Sequence, residues 1–515
     1  MQPLYNLSGR FTSRLYFSYL METPSSQKLH AVLLSSPGIG HVIPIVELGK
    51  RLVTHHGFSV TVYVAGAASQ PTASENKIIE AAMNPNLFDI IQLPPADISG
   101  LVGPEAKVVT RLCVMMREAR PAFRAALSAL AVRPDVLIVD LFSAEHLIIG
   151  DELRIPKFVY VATNAWLLAL TLFCQTLDKL VEGEYVDQPM PLEIPGCTAV
   201  RPEDVIDPML DRSNQQYHEF LRIATKLPMG DGILLNIWED LQPEMLAALR
   251  DEGLLGGIGR VPIYPIGPLI RPPEPVSPDT QLFNWLDRQP SESVIFVSFG
   301  SGGTLSADQL TEVAWGLELS RQRFIWVLRA PTIKSGDGSY FDSGNGSLDM
   351  LSFLPDGFFG RTQGIGLLIP NWAPQVNVLA HRAVGGFLSH CGWSSTLESI
   401  LNGVPMIGWP LYAEQRMNAT LLAEEIGVAI RPKVLPSKKI VGREEIRCLV
   451  RRVMVDEEGN AIRKKVKDLQ EGAQEALCKD GSSYEWLCKL KEDCKVRLLE
   501  EPTGKKHGEI ERPVH

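Results

Sequence analysis

Trp372 to Gln415 reads WAPQVNVLAHRAVGGFLSHCGWSSTLESILNGVPMIGWPLYAEQ. An apolar run at Gly386, Phe387 and Leu388 breaks into Ser389-His390-Cys391-Gly392-Trp393-Ser394-Ser395-Thr396, and a helical pattern follows from Leu397 to Asn402. A strand, a turn of small residues and a helix N-terminus in that order form an anion cradle. The first helical N–H groups lack partners within the helix, and the helix dipole favours negative charge there. Gly392 allows close backbone approach to a ligand. His390 adds a donor and Ser395 a hydroxyl. Glu398, Glu414 and Gln415 are residue types suited to sugar hydroxyls, since charged acceptors make strong hydrogen bonds. Together with the aromatic Trp372, the tract describes a nucleotide-sugar site.

The same strand-turn-helix grammar opens both halves of the chain. In the first half, strand His30–Leu34 leads through the turn Pro37–His41 into a helical pattern (Ile43, Ile45, Val46, Leu48, Leu52), then strand Phe58–Val64. In the second, strand Val294–Phe299 and turn Gly300–Thr304 precede a helix from about 307 to 319 and strand Phe324–Leu328. Near-continuous apolar strands alternating with helices predict parallel sheets covered on both faces. The expected fold is α/β, with two doubly wound, Rossmann-like domains facing a central cleft. Ligands in such sheets lie beyond the strand C-terminal ends, where both turns fall. The Pro-rich run from Tyr264 to Pro275 has the composition of a linker. We therefore expect a first domain over 21–263, a linker over 264–280 and a second domain over 281–480. Lys334–Ser347 is expected to be a surface loop.

The length of 515 residues suits two domains of roughly 200–250 residues each. A net charge of -10 and a pI near 5.6 argue against a nucleic-acid partner, which needs clustered Lys and Arg. The eight cysteines form no C-x-x-C pair, so neither zinc nor redox chemistry is indicated, and a reduced cytoplasmic setting is expected. Phe158–Leu177 is apolar enough to suggest a membrane span, but Thr163 and Asn164 interrupt it and no basic flank anchors it. A buried strand and helix are the expectation, with no membrane insertion and a monomeric protein. Residues 1–20 are loosely transit-peptide-like; a disordered or artefactual extension is the preferred reading. The charged tail, 500–515, is expected to be mobile.

Gly38-Ile39-Gly40 is not a dinucleotide fingerprint, because Ile43 stands where the third glycine belongs. His41, just after a strand's C-terminal end, can take a proton from a phenol or alcohol. It can equally serve as a helix cap. Asp140 ends the apolar run Val136–Val139 and can fix the imidazole tautomer and stabilise an imidazolium, or simply cap the next helix. Ser301, Gly302 and Gly303 form either a phosphate cradle or a tight turn without ligand. Trp372 could be a core residue, and Glu398 falls in the expected first helical turn, where an acid is ordinary.

The tract resembles, over its whole length, the signature box of plant family 1 UDP-sugar glycosyltransferases. The likeness extends to Ser35–His41, Val139–Phe142, Ile194–Cys197 and Ser298–Gly303. Ser339–Ser343 followed by Phe353–Pro355 looks like the hydroquinone and monolignol glucosyltransferase group. The resemblance implies a GT-B fold, no metal or other cofactor, UDP-glucose as donor and a helix at 481–499 that crosses back to the first domain. It implies that His41 is the general base and Asp140 its partner, and that Ser301 and Gly302 lie at the diphosphate. Trp372 would stack on uracil, with Ala373 beside it and Gln375 near the base and ribose. His390 would touch the diphosphate, Glu398 the ribose, and Trp393, Glu414 and Gln415 the sugar. Gln415 at the tract's end goes with glucose.

One position departs from the pattern: the family usually has Asn where this chain has Ser394, and that Asn contacts phosphate. The expected activity is inverting O-glucosyl transfer to a small phenolic acceptor, of hydroquinone, phenylpropanoid or flavonoid type. The alternatives are another UDP-sugar or a terpenoid acceptor, or a weakly active UDP-sugar-binding homologue crippled at Ser394. The acceptor pocket is expected around 95–125 and 160–205, near Leu101, Val102, Met115, Met116, Phe158 and Trp166.

Overall fold

The computed structural model describes residues 28–66, 86–273, 281–331 and 350–499. The expected extension at 1–20, the loop at 334–347, the run Ser339–Ser343 and the tail at 500–515 lie outside them. The first sheet has seven parallel strands in the order β3-β2-β1-β4-β5-β6-β7. Their ranges are β1 His30–Ser35, β2 Ser59–Gly66, β3 Asp89–Pro95, β4 Val136–Asp140, β5 Lys157–Val161, β6 Gly232–Leu235 and β7 Ile263–Pro265. The second has six parallel strands in the order β10-β9-β8-β11-β12-β13. These are β8 Val294–Ser298, β9 Arg323–Leu328, β10 Gly366–Pro370, β11 Val384–Ser389, β12 Met406–Gly408 and β13 Ala429–Ile430. Tyr264 and Pro265, read from sequence as linker, close the first sheet as its edge strand, where a proline's missing donor is tolerated.

The apolar runs have a simple cause. Each central strand is buried on both faces, so alternate residues feed different cores. In β1, Ala31 and Leu33 join one cluster with helix Ile39–His56, while Val32 and Leu34 join the other. The final helix, Ser482–Leu499, adds Leu487, Leu490 and Cys494 to the first of these clusters. It is tied to the first sheet's side by Tyr264 Oη donating to Asp493 at 2.7 Å and by Trp486 Nε1 donating to Glu239 at 3.1 Å. The segment once readable as a membrane span is β5 followed by helix Ala165–Leu180, capped by the Asn164 side chain on Leu167 N–H. No helix among the described residues is long and apolar enough to cross a membrane.

Strand order reverses between β1 and β4 in the first sheet and between β8 and β11 in the second. In a doubly wound sheet the crevice at that reversal is where ligands bind. In-register pairing of Leu34 with Val139, and of Ser298 with Ser389, brings the two turns of each crevice side by side.

Candidate active site

At the first crevice, Ser36 and Asp140 leave adjacent strands and meet. Asp140 Oδ2 accepts from Ser36 N at 2.8 Å and from the Ser36 hydroxyl. Its Oδ1 accepts from Ser143 N at 3.0 Å and from the Ser143 hydroxyl. Asp140 thus caps the short helical turn Leu141–His146, as the simpler reading had it, and also faces His41: Nδ1 lies 3.8 Å from Oδ2. That separation suits an ion pair and is longer than a hydrogen bond. Gly38, at φ 103°, turns the chain so that the helix begins at Ile39, and His41 sits inside its first turn rather than ahead of it. The His41 side chain is 23% exposed, with the Phe142 ring edge-on at 5.1 Å. Burial holds its pKa below the ordinary 6.5, with Asp140 opposing. The imidazole is therefore neutral near pH 7, as a proton acceptor must be.

At the second crevice the glycines have a steric cause. A Cβ on Gly300 would stand 2.5 Å from His390 Nε2, and one on Gly392 would stand 2.6 Å from it. The imidazole lies between two backbones that only glycine lets approach. His390 is buried, and desolvation takes its pKa down to about 4. Cys391 occupies the left-handed region at φ 63°, held through its carbonyl by Asn418 Nδ2 at 2.9 Å.

Gly392 then caps helix Trp393–Leu401 with no side-chain cap and no acid in the first turn. The helix starts four residues ahead of the apolar helical pattern that opens at Leu397, because the periodicity of the apolar residues is silent over Trp393-Ser394-Ser395-Thr396. The first free N–H groups are therefore those of Trp393, Ser394 and Ser395. Glu398 lies beyond the first turn, which removes the ordinary helix-dipole reason for an acid there.

Around this terminus the side chains interlock. Gln375 Nε2 donates to Ser395 Oγ at 2.8 Å and to Glu398 Oε2 at 2.7 Å. Arg271 Nε lies 3.4 Å from Glu398 Oε1. Trp372, half-buried, packs on the first domain's cluster that contains Val42 and Ile43, while Ala373 is buried. Trp393 donates its indole N–H to Asn236 O at 2.9 Å, which joins the second crevice to the first domain through the residue after β6. Ser301 is exposed and Gly302 buried; the Ser301 carbonyl accepts from the Arg329 guanidinium.

Glu414 begins the helix Gln415–Thr420, and burial raises its pKa. Gln415 Oε1 is taken by Leu411 N at 2.9 Å and Tyr412 N at 3.1 Å, which fixes the orientation of its side-chain amide.

Sequence reasoning missed Ser36, Ser143, Arg271, Asn236 and Asn418. For Ser143 a signal existed, since its hydroxyl stands three residues after Asp140 at the start of a helical turn. The others act across long chain separations that no local pattern encodes. The expected acceptor lining needs correction. Met115, Met116, Phe158 and Trp166 are at most 1% exposed and belong to the core. Much of both expected loop regions is helix, Val108–Ser128 and Ala165–Leu180.

Residues 270–457 match the family model "UDP-glucoronosyl and UDP-glucosyl transferase". The chain is 56% identical over 468 residues to an anthocyanidin 3-O-glucosyltransferase 5 of Manihot esculenta, covering 91% of this chain and 96% of that one. It is 41% identical over 464 residues to a hydroquinone glucosyltransferase of Rauvolfia serpentina, covering 90% and 97%. Among solved structures, Phytolacca americana UGT2 complexed with UDP-2fluoro-glucose and pterostilbene superposes with a TM-score of 0.81 at 38% identity, covering 91% of this chain and 100% of that chain. The protein belongs to the family 1 UDP-glycosyltransferases, enzymes of the GT-B fold.

Proposed function

We propose that the protein transfers glucose from UDP-glucose to the hydroxyl of a small phenolic acceptor, with inversion at the anomeric carbon. The observation that carries this reading is His41, neutral and beside the doubly clamped Asp140 at the first crevice. The acceptor proton passes to the His41 imidazole while the acceptor oxygen bonds to the anomeric carbon. The bond from that carbon to the diphosphate oxygen breaks, and UDP leaves with the electron pair. Asp140 stabilises the imidazolium. Charge on the departing diphosphate falls on the N–H groups at the Trp393 helix terminus, with His390 and Ser301 nearby. This supplies the stabilisation that a metal provides elsewhere, so transfer is expected to persist in a chelator.

In the same reading Trp372, Ala373, Gln375 and Glu398 hold uridine, Gly302 and Gly392 give the diphosphate room, and Trp393, Glu414 and Gln415 meet the sugar. The first domain takes the acceptor and the second the donor. Two relatives named for phenolic substrates, and a pterostilbene complex of a third protein, support the acceptor class.

The test is a panel of phenols, flavonoids and terpenoid alcohols incubated with UDP-glucose or, separately, UDP-galactose, with and without EDTA, and read by mass for the gain of one hexose. Phenolic glucosides formed equally with EDTA are expected. Hexose transfer only from UDP-galactose, or only to terpenoid alcohols, would reject the substrate assignment.

A further inference from the structure

The turn that carries Glu414 and Gln415 is held from the opposite domain. Asp207 opens the short helical turn Asp207–Leu210, which follows β5 and precedes β6 in the chain. Its N–H donates to Ala413 O at 3.1 Å, and its Oδ2 accepts from Ala413 N at 2.8 Å. Its Oδ1 accepts from the guanidinium of Arg416, which is 3% exposed and also donates from Nε to Val205 O at 3.0 Å. Gln216 Nε2 holds the Asp207 carbonyl at 3.1 Å, so the acid is itself tied to its own domain.

Ala413 needs such a hold. It lies at φ 56°, in the left-handed region that a residue with a Cβ enters at a cost. Three residues before Asp207, Asp204 accepts from Thr420 Oγ1 at 2.8 Å and from Arg431 Nη1 at 3.1 Å. One first-domain loop therefore grips both ends of helix Gln415–Thr420.

We propose that Asp207 is a positioning residue for the donor sugar, setting the Ala413–Gln415 turn from across the cleft. This rests on the reading of Glu414 and Gln415 as sugar-contacting residues. The uridine side of the site is built differently. Gln375, Ser395 and Glu398 bond to one another within the second domain. Loss of Asp207 should thus separate sugar recognition from UDP recognition.

The experiment compares D207N and D207A with the native enzyme in three quantities: KM for UDP-glucose, the inhibition constant of UDP, and the preference for UDP-glucose over UDP-galactose. Thermal melts accompany them. D207N is expected to raise KM about tenfold, to leave UDP inhibition nearly unchanged and to narrow the sugar preference. Equal changes in KM and UDP inhibition, or no change in either, would overturn the proposal, as would failure of both variants to fold, which would make Asp207 purely structural. Q415A separates the two levels of the argument. If it leaves sugar preference intact, the sugar-contact reading fails and the proposal with it. If Q415A alters preference and D207N does not, the positioning role alone fails.

Discussion

His41 and Ser394 carry the sharpest single-residue consequences. Removing a positioned general base costs roughly a hundredfold to ten-thousandfold in rate. H41A should lose that much in kcat/KM while retaining UDP affinity, measured by calorimetry. Because burial lowers the His41 pKa, the imidazole is already neutral at neutral pH. Activity should therefore fall only as pH drops below the ordinary histidine value, which a kcat/KM profile will show. Ser394 occupies the second position of the Trp393 helix, partly exposed. Its hydroxyl is shorter than the amide the family usually has there. A hydrogen bond to a charged group contributes about 1.5–3 kcal/mol. S394N should accordingly raise kcat/KM by about tenfold or more; an unchanged rate would show that the backbone N–H groups suffice.

Strand-turn-helix junctions are the elements on which the site depends. At the second crevice the turn after β8 and the start of the Trp393 helix meet through His390. At Gly300, with φ 74°, alanine would add both left-handed strain and a contact 2.5 Å from the His390 ring. The strain alone costs roughly 1–2 kcal/mol. G300A should weaken UDP binding more than it lowers melting temperature, since the displaced ring borders the proposed diphosphate site; UDP titration beside a thermal melt checks this. These junctions were legible in sequence as to place. Their boundaries were not: the helices start at Ile39 and Trp393, ahead of the apolar periodicity, because glycine conformation and backbone capping set a helix start.

Acid stability belongs to the whole molecule. Desolvation holds His146 and His390 at pKa values of about 4. Each folded pKa is below the unfolded value of about 6.5, so the unfolded chain binds more protons between the two. Their contribution is complete above pH 6.5 and is lost as pH falls toward 4, by at most roughly 3 kcal/mol per histidine. Denaturant midpoints across that range should decline with decreasing pH and show no such decline above it. The Asn164–Asn418 bond at 2.7 Å, the Asp207–Arg416 pair and the final helix bind the two halves together.

The sequence by itself determined two parallel sheets and the two turns at the strand reversals, and it named most of the residues proposed for the site. Each of these is written in a short stretch: apolar strands, small-residue turns and helix starts are local consequences of local residue types. Met115, Met116, Phe158 and Trp166 were misplaced because an apolar residue looks the same whether it lines a pocket or fills a core. Ser36 on Asp140, Arg271 beside Glu398 and Asp207 under Ala413 were decided only by tertiary structure. Their partners lie far away in the chain, and only the pairing of β1 with β4 and the packing of one domain against the other bring them within reach.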